Sequence, residues 1–188
     1  PVSIENDANA AALGEALAGA ARGARSCVCI TLGTGVGGGI ILDGKVYSGF
    51  NYAGAELGHM VIMVDGEDCT CGRQGCWEAY ASATALVRQT RRAMEAHPDS
   101  AMWKIAGSLD NVDGRTAFEG ARRGDKDAQE VVNQYIEYLA VGIANLVNIL
   151  RPEAVVLGGG IACEGEGLFV PLRKAVEEQI YVCADEVP

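Results

Sequence analysis

Basic side chains are scarce in this chain: Lys and Arg number 15 against 25 Asp and Glu, a formal net charge of −10. That leaves little to neutralise a run of phosphates, so a grip on nucleic acid is not expected of this segment. No continuous apolar run approaches the roughly 20 residues a bilayer-spanning helix requires, so no membrane span is expected. The opening Pro-Val-Ser is not the basic stretch that begins a secretory leader. No Gly-Lys-Ser/Thr follows a glycine turn, which excludes a Walker A loop. Repeats, low-complexity linkers and a clear internal domain boundary are lacking too. With no initiator Met, the expectation is a cut fragment with residues missing at both ends. Residues 1–4 read as the tail of a connection, and 184–188 stop without a closing element.

What is present suffices for one sizeable core, or for one large lobe of a two-lobed protein: 188 residues, 49% hydrophobic, with 25 glycines. Seven cysteines without a secretory pattern fit a reducing, cytoplasmic setting. Three of them cluster with a histidine between residues 59 and 76, in HMVIMVDGEDCTCGRQGC. His59, Cys69, Cys71 and Cys76 form a ligand set suited to closed, structural tetrahedral zinc. Gly72 and Gly75 lie between the sulfurs, where a tight knuckle needs positive φ or close backbone approach. Disulfides and scattered buried thiols are the competing readings. Cys-x-Cys is poor bridge geometry, and three thiols in eight residues is dense for chance burial. Cys27, Cys29, Cys163 and Cys183 lie in or near apolar runs and read as core thiols.

Strands and helices alternate along the chain, which argues an α/β fold. A helix is expected over 8–21, Ala-rich with Leu13 and Leu17 one turn apart, with Asn6 and Asp7 at its start. Strands are expected over 26–32 and 39–42, joined by a glycine turn, with Asp43-Gly44 turning the chain back through 45–47. A helix over 78–96 should stop at His97-Pro98. A short helix is expected over 113–123, with a break at Gly124-Asp125. A long one follows over 126–150, where Val132, Ile136, Leu139, Ile143, Val147 and Leu150 mark one core face. A buried strand over 153–157 runs into Gly158-Gly159-Gly160, and a last amphipathic helix spans 169–180.

Four stretches offer chemistry. The turn around Gly33-Thr34-Gly35 presents free amides with little bulk, able to wrap a phosphate, or it is a plain glycine hairpin. Gly158, Gly159 and Gly160, at the carboxyl end of a strand, mark a ligand site of α/β sheets or a tight turn. Asp7 could take a proton from a substrate hydroxyl that Asn6 holds, or the pair could simply cap the helix. Glu56, His59 and Glu78 could accept hydrogen bonds from a polyol, although most glutamates are only solvated charge. Together these features read as a phosphoryl transferase acting on a sugar.

The order of these motifs resembles the ROK family (repressors, open reading frames and sugar kinases), in the manner of its bacterial glucokinase-type members. The matching pieces are Glu5-Asn-Asp-Ala-Asn9, Leu32-Gly-Thr-Gly-Val-Gly-Gly-Gly39, Asn51-Tyr-Ala-Gly-Ala-Glu-Leu-Gly-His59, Cys69-Thr-Cys-Gly-Arg-Gln-Gly-Cys-Trp-Glu78 and Val155-Val-Leu-Gly-Gly-Gly160. They span nearly the whole chain. The resemblance implies an actin-like ATPase (ribonuclease H-like) domain, a mixed sheet flanked by helices, with a zinc knuckle. It implies ATP-dependent phosphorylation of a hexose, foremost glucose, at the 6-hydroxyl, with Asp7 as general base. Asn6, Glu56, His59 and Glu78 would bind sugar hydroxyls. Gly33, Thr34 and Gly35 would meet the ATP phosphates, and Gly158, Gly159 and Gly160 the adenosine. Mg²⁺ would accompany ATP, Zn²⁺ would be structural and orient His59, and a homodimer would form. Alternatives within the family are an N-acetylmannosamine or N-acetylglucosamine kinase and a sugar-responsive repressor with a DNA-binding segment ahead of this one. The family's Asp-x-Gly-x-Thr phosphate motif is missing, so residues 1–188 would be the C-terminal lobe and inactive or nearly so alone.

Overall fold

The computed structural model describes residues 6–181. Glu5, Cys183 and the expectations for residues 1–4 and 184–188 lie outside the described residues. Four strands form one mixed sheet in the order β3-β2-β1-β4. These are β1 (Cys27–Leu32), β2 (Val36–Leu42), β3 (Lys45–Val46) and β4 (Ala154–Gly158). β2 lies antiparallel to β1 and β3, whereas β4 runs parallel to β1, with Thr31 opposite Gly158. Asp43 and Gly44 both take positive φ at the β2–β3 turn, as a tight hairpin demands.

The period-two alternation of β1 sorts its side chains between two cores. Cys27 and Cys29 face α1 (Asp7–Ala18) together with Ala12 and Ile41. Val28, Ile30 and Leu32 point the other way, into the main core. That core rests on α6 (Lys126–Leu150), against which pack α3 (Ala83–Ala96), α5 (Thr116–Arg122) and α7 (Glu166–Glu177). The stripe read from the sequence is the one that packs: Val132, Ile136, Leu139, Ile143 and Val147 are buried, and Leu150 packs against them. Leu13 and Leu17 instead face outward, and α1 meets the sheet through Ala8 and Ala12.

Several boundaries differ from expectation. Strand β2 begins at Val36, so Gly37 and Gly38 join Gly39 in the strand rather than the turn. The reason is packing: a methyl group at Gly39 would lie 2.7 Å from the Ala8 carbonyl oxygen, and one at Gly38 would meet Leu57. The helix expected over 78–96 is two helices, α2 (Glu78–Ala81) and α3, separated by Ser82 in extended conformation. A short helix, α4 (Met102–Ala106), precedes α5, and Asp113 lies outside α5 as a turn residue whose carboxylate accepts from the N–H groups of Arg115 and Thr116. The last helix starts earlier than expected, at Glu166. Cys27 and Cys29 are buried as expected. Cys163 is exposed, because it sits in the short 3-10 turn that follows Gly159 rather than in a core strand.

Candidate active site and metal centre

The close approach of α1 to the glycines of β2 sets where its first turn sits. Asn6 is the N-cap: its side-chain oxygen accepts from the N–H groups of Ala8, at 2.9 Å, and Asn9, at 3.3 Å. Asp7 follows as the first helical residue and is exposed. It opens onto a cleft of about 430 Å³ that Thr31, Gly33, Gly35, Gly37 and Glu78 also line. An aspartate at a helix start, a glycine turn without side-chain bulk and a second carboxylate thus share one cavity.

The glycine turn is held from behind by the break between α2 and α3. The Gly33 carbonyl accepts from Ala83 N–H at 2.8 Å, and the Thr34 carbonyl from the Thr84 hydroxyl at 2.8 Å. Gly33 N–H closes the turn on the Gly35 carbonyl at 3.0 Å. Glu78 reaches across, and its Oε2 accepts from Val36 N–H at 3.0 Å. A side chain at Gly35 would collide with that carboxylate. At the end of β4, Gly159 has φ +91, and its Cα lies against the backbone of Leu32. The two glycine turns therefore leave the carboxyl ends of neighbouring parallel strands, where open α/β sheets bind ligands.

His59, Cys69, Cys71 and Cys76 converge, with one ligand atom of each within 4.8 Å of all the others. His59 Nδ1 is 3.6 Å from Cys69 Sγ, and Cys71 Sγ is 3.7 Å from Cys76 Sγ. A zinc tetrahedron with Zn–S of about 2.3 Å and Zn–N of about 2.0–2.1 Å has edges of about 3.8 Å between sulfurs and about 3.6 Å from nitrogen to sulfur. The donor chemistry and both distances fit that ion. Gly72 and Gly75 take φ +85 and +77, the conformation the tight knuckle was expected to need. Burial pushes the Cys76 thiol up to about 12, while the backbone N–H of Arg73 lowers Cys71. A divalent cation would displace the protons from such a set.

Glu56 is brought less close. It is exposed, precedes the 3-10 turn Leu57–His59, and is not among the residues lining the cleft around Asp7. Three residues to which sequence reasoning gave no role of their own line or hold the site. Thr31 lines the cleft. Thr70, between two ligand cysteines, donates its hydroxyl to Glu78 Oε1 at 3.2 Å. Trp77 is fully buried, and its indole N–H donates to the Tyr138 carbonyl of α6 at 2.8 Å. The alternation Cys76-Trp77-Glu78 was the available signal, because neighbouring residues that face the Cys₃His cluster, the core and the cleft leave no freedom for the segment.

Fold and site define a mixed-sheet α/β protein with a ligand cleft at the strand ends and a Cys₃His cluster beside it. The chain belongs to the ROK family, whose model matches residues 1–187. It is 44% identical over 179 residues to a glucokinase of Thermotoga maritima, covering 95% of this chain and 56% of that protein. It is 32% identical to the xylose repressor of Bacillus subtilis, covering 96% of this chain and 43% of the repressor. Among solved structures, a ROK family glucokinase from Streptomyces griseus, in complex with glucose and AMPPNP, superposes with a TM-score of 0.91 at 40% identity. That match covers all of this chain and 61% of the other. The chain thus spans little more than half the length of the glucokinases it resembles.

Proposed function

We propose that this chain is the C-terminal lobe, residues 1–188, of a cytoplasmic ATP-dependent hexose kinase with an actin-like ATPase fold, and that glucose is its sugar. The observation that carries the reading is the shared cleft of Asp7, the Gly33–Gly35 turn and Glu78. Similarity to glucokinases supports it. Asp7 accepts the proton of the sugar 6-hydroxyl as that oxygen attacks the γ-phosphorus. The bond from γ-phosphorus to the bridging oxygen breaks, and ADP leaves. The chain's own contribution is positioning and charge placement, as is usual in phosphoryl transfer. Gly33, Thr34 and Gly35 meet the phosphates, with the Gly33 N–H holding the turn closed on the Gly35 carbonyl, and Gly158, Gly159 and Gly160 meet the adenosine. Glu78 holds a sugar hydroxyl from within the cleft, and the family resemblance assigns others to Asn6, Glu56 and His59, which lie outside the cleft lining. Charge neutralisation at the nucleotide's phosphates would be supplied by Mg²⁺ when bound. Zn²⁺ on His59, Cys69, Cys71 and Cys76 is structural, and with Nδ1 turned to the sulfurs the opposite ring nitrogen of His59 is the one left for a sugar hydroxyl. The working unit is a homodimer.

The test is ADP release by the full-length protein with ATP, Mg²⁺ and a panel of glucose, mannose, fructose, N-acetylglucosamine and N-acetylmannosamine. Turnover with glucose is expected, and Asp7→Ala should lower it by about 10²–10⁴-fold, the usual worth of a general base. Turnover with an N-acetylated sugar alone would move the substrate. Sugar binding without turnover would favour a sugar-responsive repressor, a reading to which the resemblance to the xylose repressor also lends weight.

A further inference from the structure

Glu78 is held by both oxygens, and the two tethers come from different parts of the fold. Oε2 accepts from Val36 N–H, where the glycine turn enters β2, at 3.0 Å. Oε1 accepts from the Thr70 hydroxyl at 3.2 Å. Thr70 stands between Cys69 and Cys71, so its backbone is fixed on both sides by residues of the Cys₃His cluster. The knuckle is pinned in turn: Cys69 N–H donates to the Arg73 carbonyl and Trp77 N–H to the Met60 carbonyl, both at 2.8 Å. A carboxylate with two anchors has a fixed plane, and its remaining lone pairs point in set directions into the cleft.

We propose that Thr70 is a positioning residue for sugar recognition. Its hydroxyl hands the geometry of the cysteine knuckle to Glu78 and so fixes the direction in which that carboxylate receives a sugar hydroxyl. The hydroxyl is the part that matters, since valine has the same shape without a donor. The inference rests on the reading of Glu78 as a sugar ligand. It adds a link that the four cluster ligands alone do not provide: a side chain that is neither ligand nor substrate contact carries the order of the knuckle into the site. Thr70 is exposed, so water competes for Glu78 when the hydroxyl is removed, and the loss should be partial.

The experiment uses the full-length protein and its Thr70→Val and Thr70→Ser variants. Glucose affinity is measured by calorimetry without nucleotide, zinc content by elemental analysis, and KM and kcat separately. Thr70→Val should weaken glucose binding by about fivefold, the scale of one charge-assisted hydrogen bond shared with water. KM for glucose should rise in step, kcat and zinc content should hold, and Thr70→Ser should restore affinity to within about twofold of the parent. Unchanged affinity in Thr70→Val with zinc retained would overturn the proposal. A loss that Thr70→Ser does not restore, or that tracks loss of zinc, would also overturn it and assign Thr70 a purely structural part. If the parent protein itself binds no sugar, the reading of Glu78 falls first, and the inference with it.

Discussion

At the scale of single residues, one tight constraint outside the cleft lies where the Cys₃His knuckle meets the long helix. Trp77 lies flat against Gly142 of α6, and a methyl group there would collide with the indole ring. Cores tolerate such overpacking poorly, at about 1–3 kcal/mol per insertion. Gly142→Ala should therefore lower the thermal midpoint by several degrees, read by calorimetry on the zinc-loaded protein. An unchanged midpoint would mean that helix and indole separate freely. The convergence of Cys69, Cys71, Cys76 and His59 was legible from sequence because such side chains are few in kind and closely spaced here. The partners of Trp77 and Thr70 were not: the indole reaches Tyr138, 61 positions away, and the Thr70 hydroxyl meets Glu78 only because the knuckle folds back on itself.

At the scale of elements, the break at Ser82 shows how tertiary demands override helix propensity. Three successive carbonyls of α2 turn to side chains: Ala79 accepts from Arg88, Tyr80 from Gln89 at 2.9 Å, and Ala81 from the buried Tyr135 hydroxyl at 2.8 Å. The Ser82 hydroxyl caps α3 by accepting from Ala85 N–H at 3.1 Å. Tyr135→Phe would strand the Ala81 carbonyl in the core and should cost about 1–3 kcal/mol in urea unfolding. No effect would show that the break is held by other contacts. Nothing in the run Glu78–Ala96 announces this, whereas α6 was readable from its stripe alone. The cap of α6 gives a pH-dependent test. Burial acts to raise the Asp125 carboxyl, but hydrogen bonds from Ala128 N–H, Ala101 N–H and the Ser100 hydroxyl prevail and hold it below its usual value. The folded state therefore binds this proton less readily than the unfolded chain. The stabilisation is present in full above the unfolded value of about 3.9 and fades as pH falls through the lower folded value. Asp125→Ala should cost about 1–2 kcal/mol at pH 7, and the gap from the parent should narrow below pH of about 4. A gap that stays constant across that range would refute a role for the ionised cap.

At the scale of the whole molecule, the sheet offers one face of a cleft, and the Cys₃His knuckle reaches its edge through Thr70 and Glu78. The sheet class could be read from alternating elements, and the glycine turn that lines the cleft from its composition. The shape of the cleft could not, because Gly37 and Gly39 belong to a strand that seats α1, a fact set by contact with Ala8 and Ala12. Two consequences separate folding from catalysis. The main core runs from β1 through α6 to α7 within these residues, and the Cys₃His cluster is local to 59–76. The 188-residue chain alone should therefore fold and bind one equivalent of zinc. Chelation should lower its thermal midpoint, and titration with zinc should release protons from the thiols. Phosphoryl transfer makes a different demand, because the reacting groups must be enclosed so that water does not compete for the γ-phosphate. The cleft at Asp7 is open, and the chain spans only 56% of the glucokinase it resembles. Assayed beside the full-length protein with ATP, Mg²⁺ and glucose, the isolated chain should hold zinc but turn over at least about 10³-fold more slowly, since fixing both substrates in line supplies rate of that order or more. Full activity in the isolated chain would mean that the cleft seen here is already the whole catalytic site, and that closure by a second lobe is no part of the chemistry.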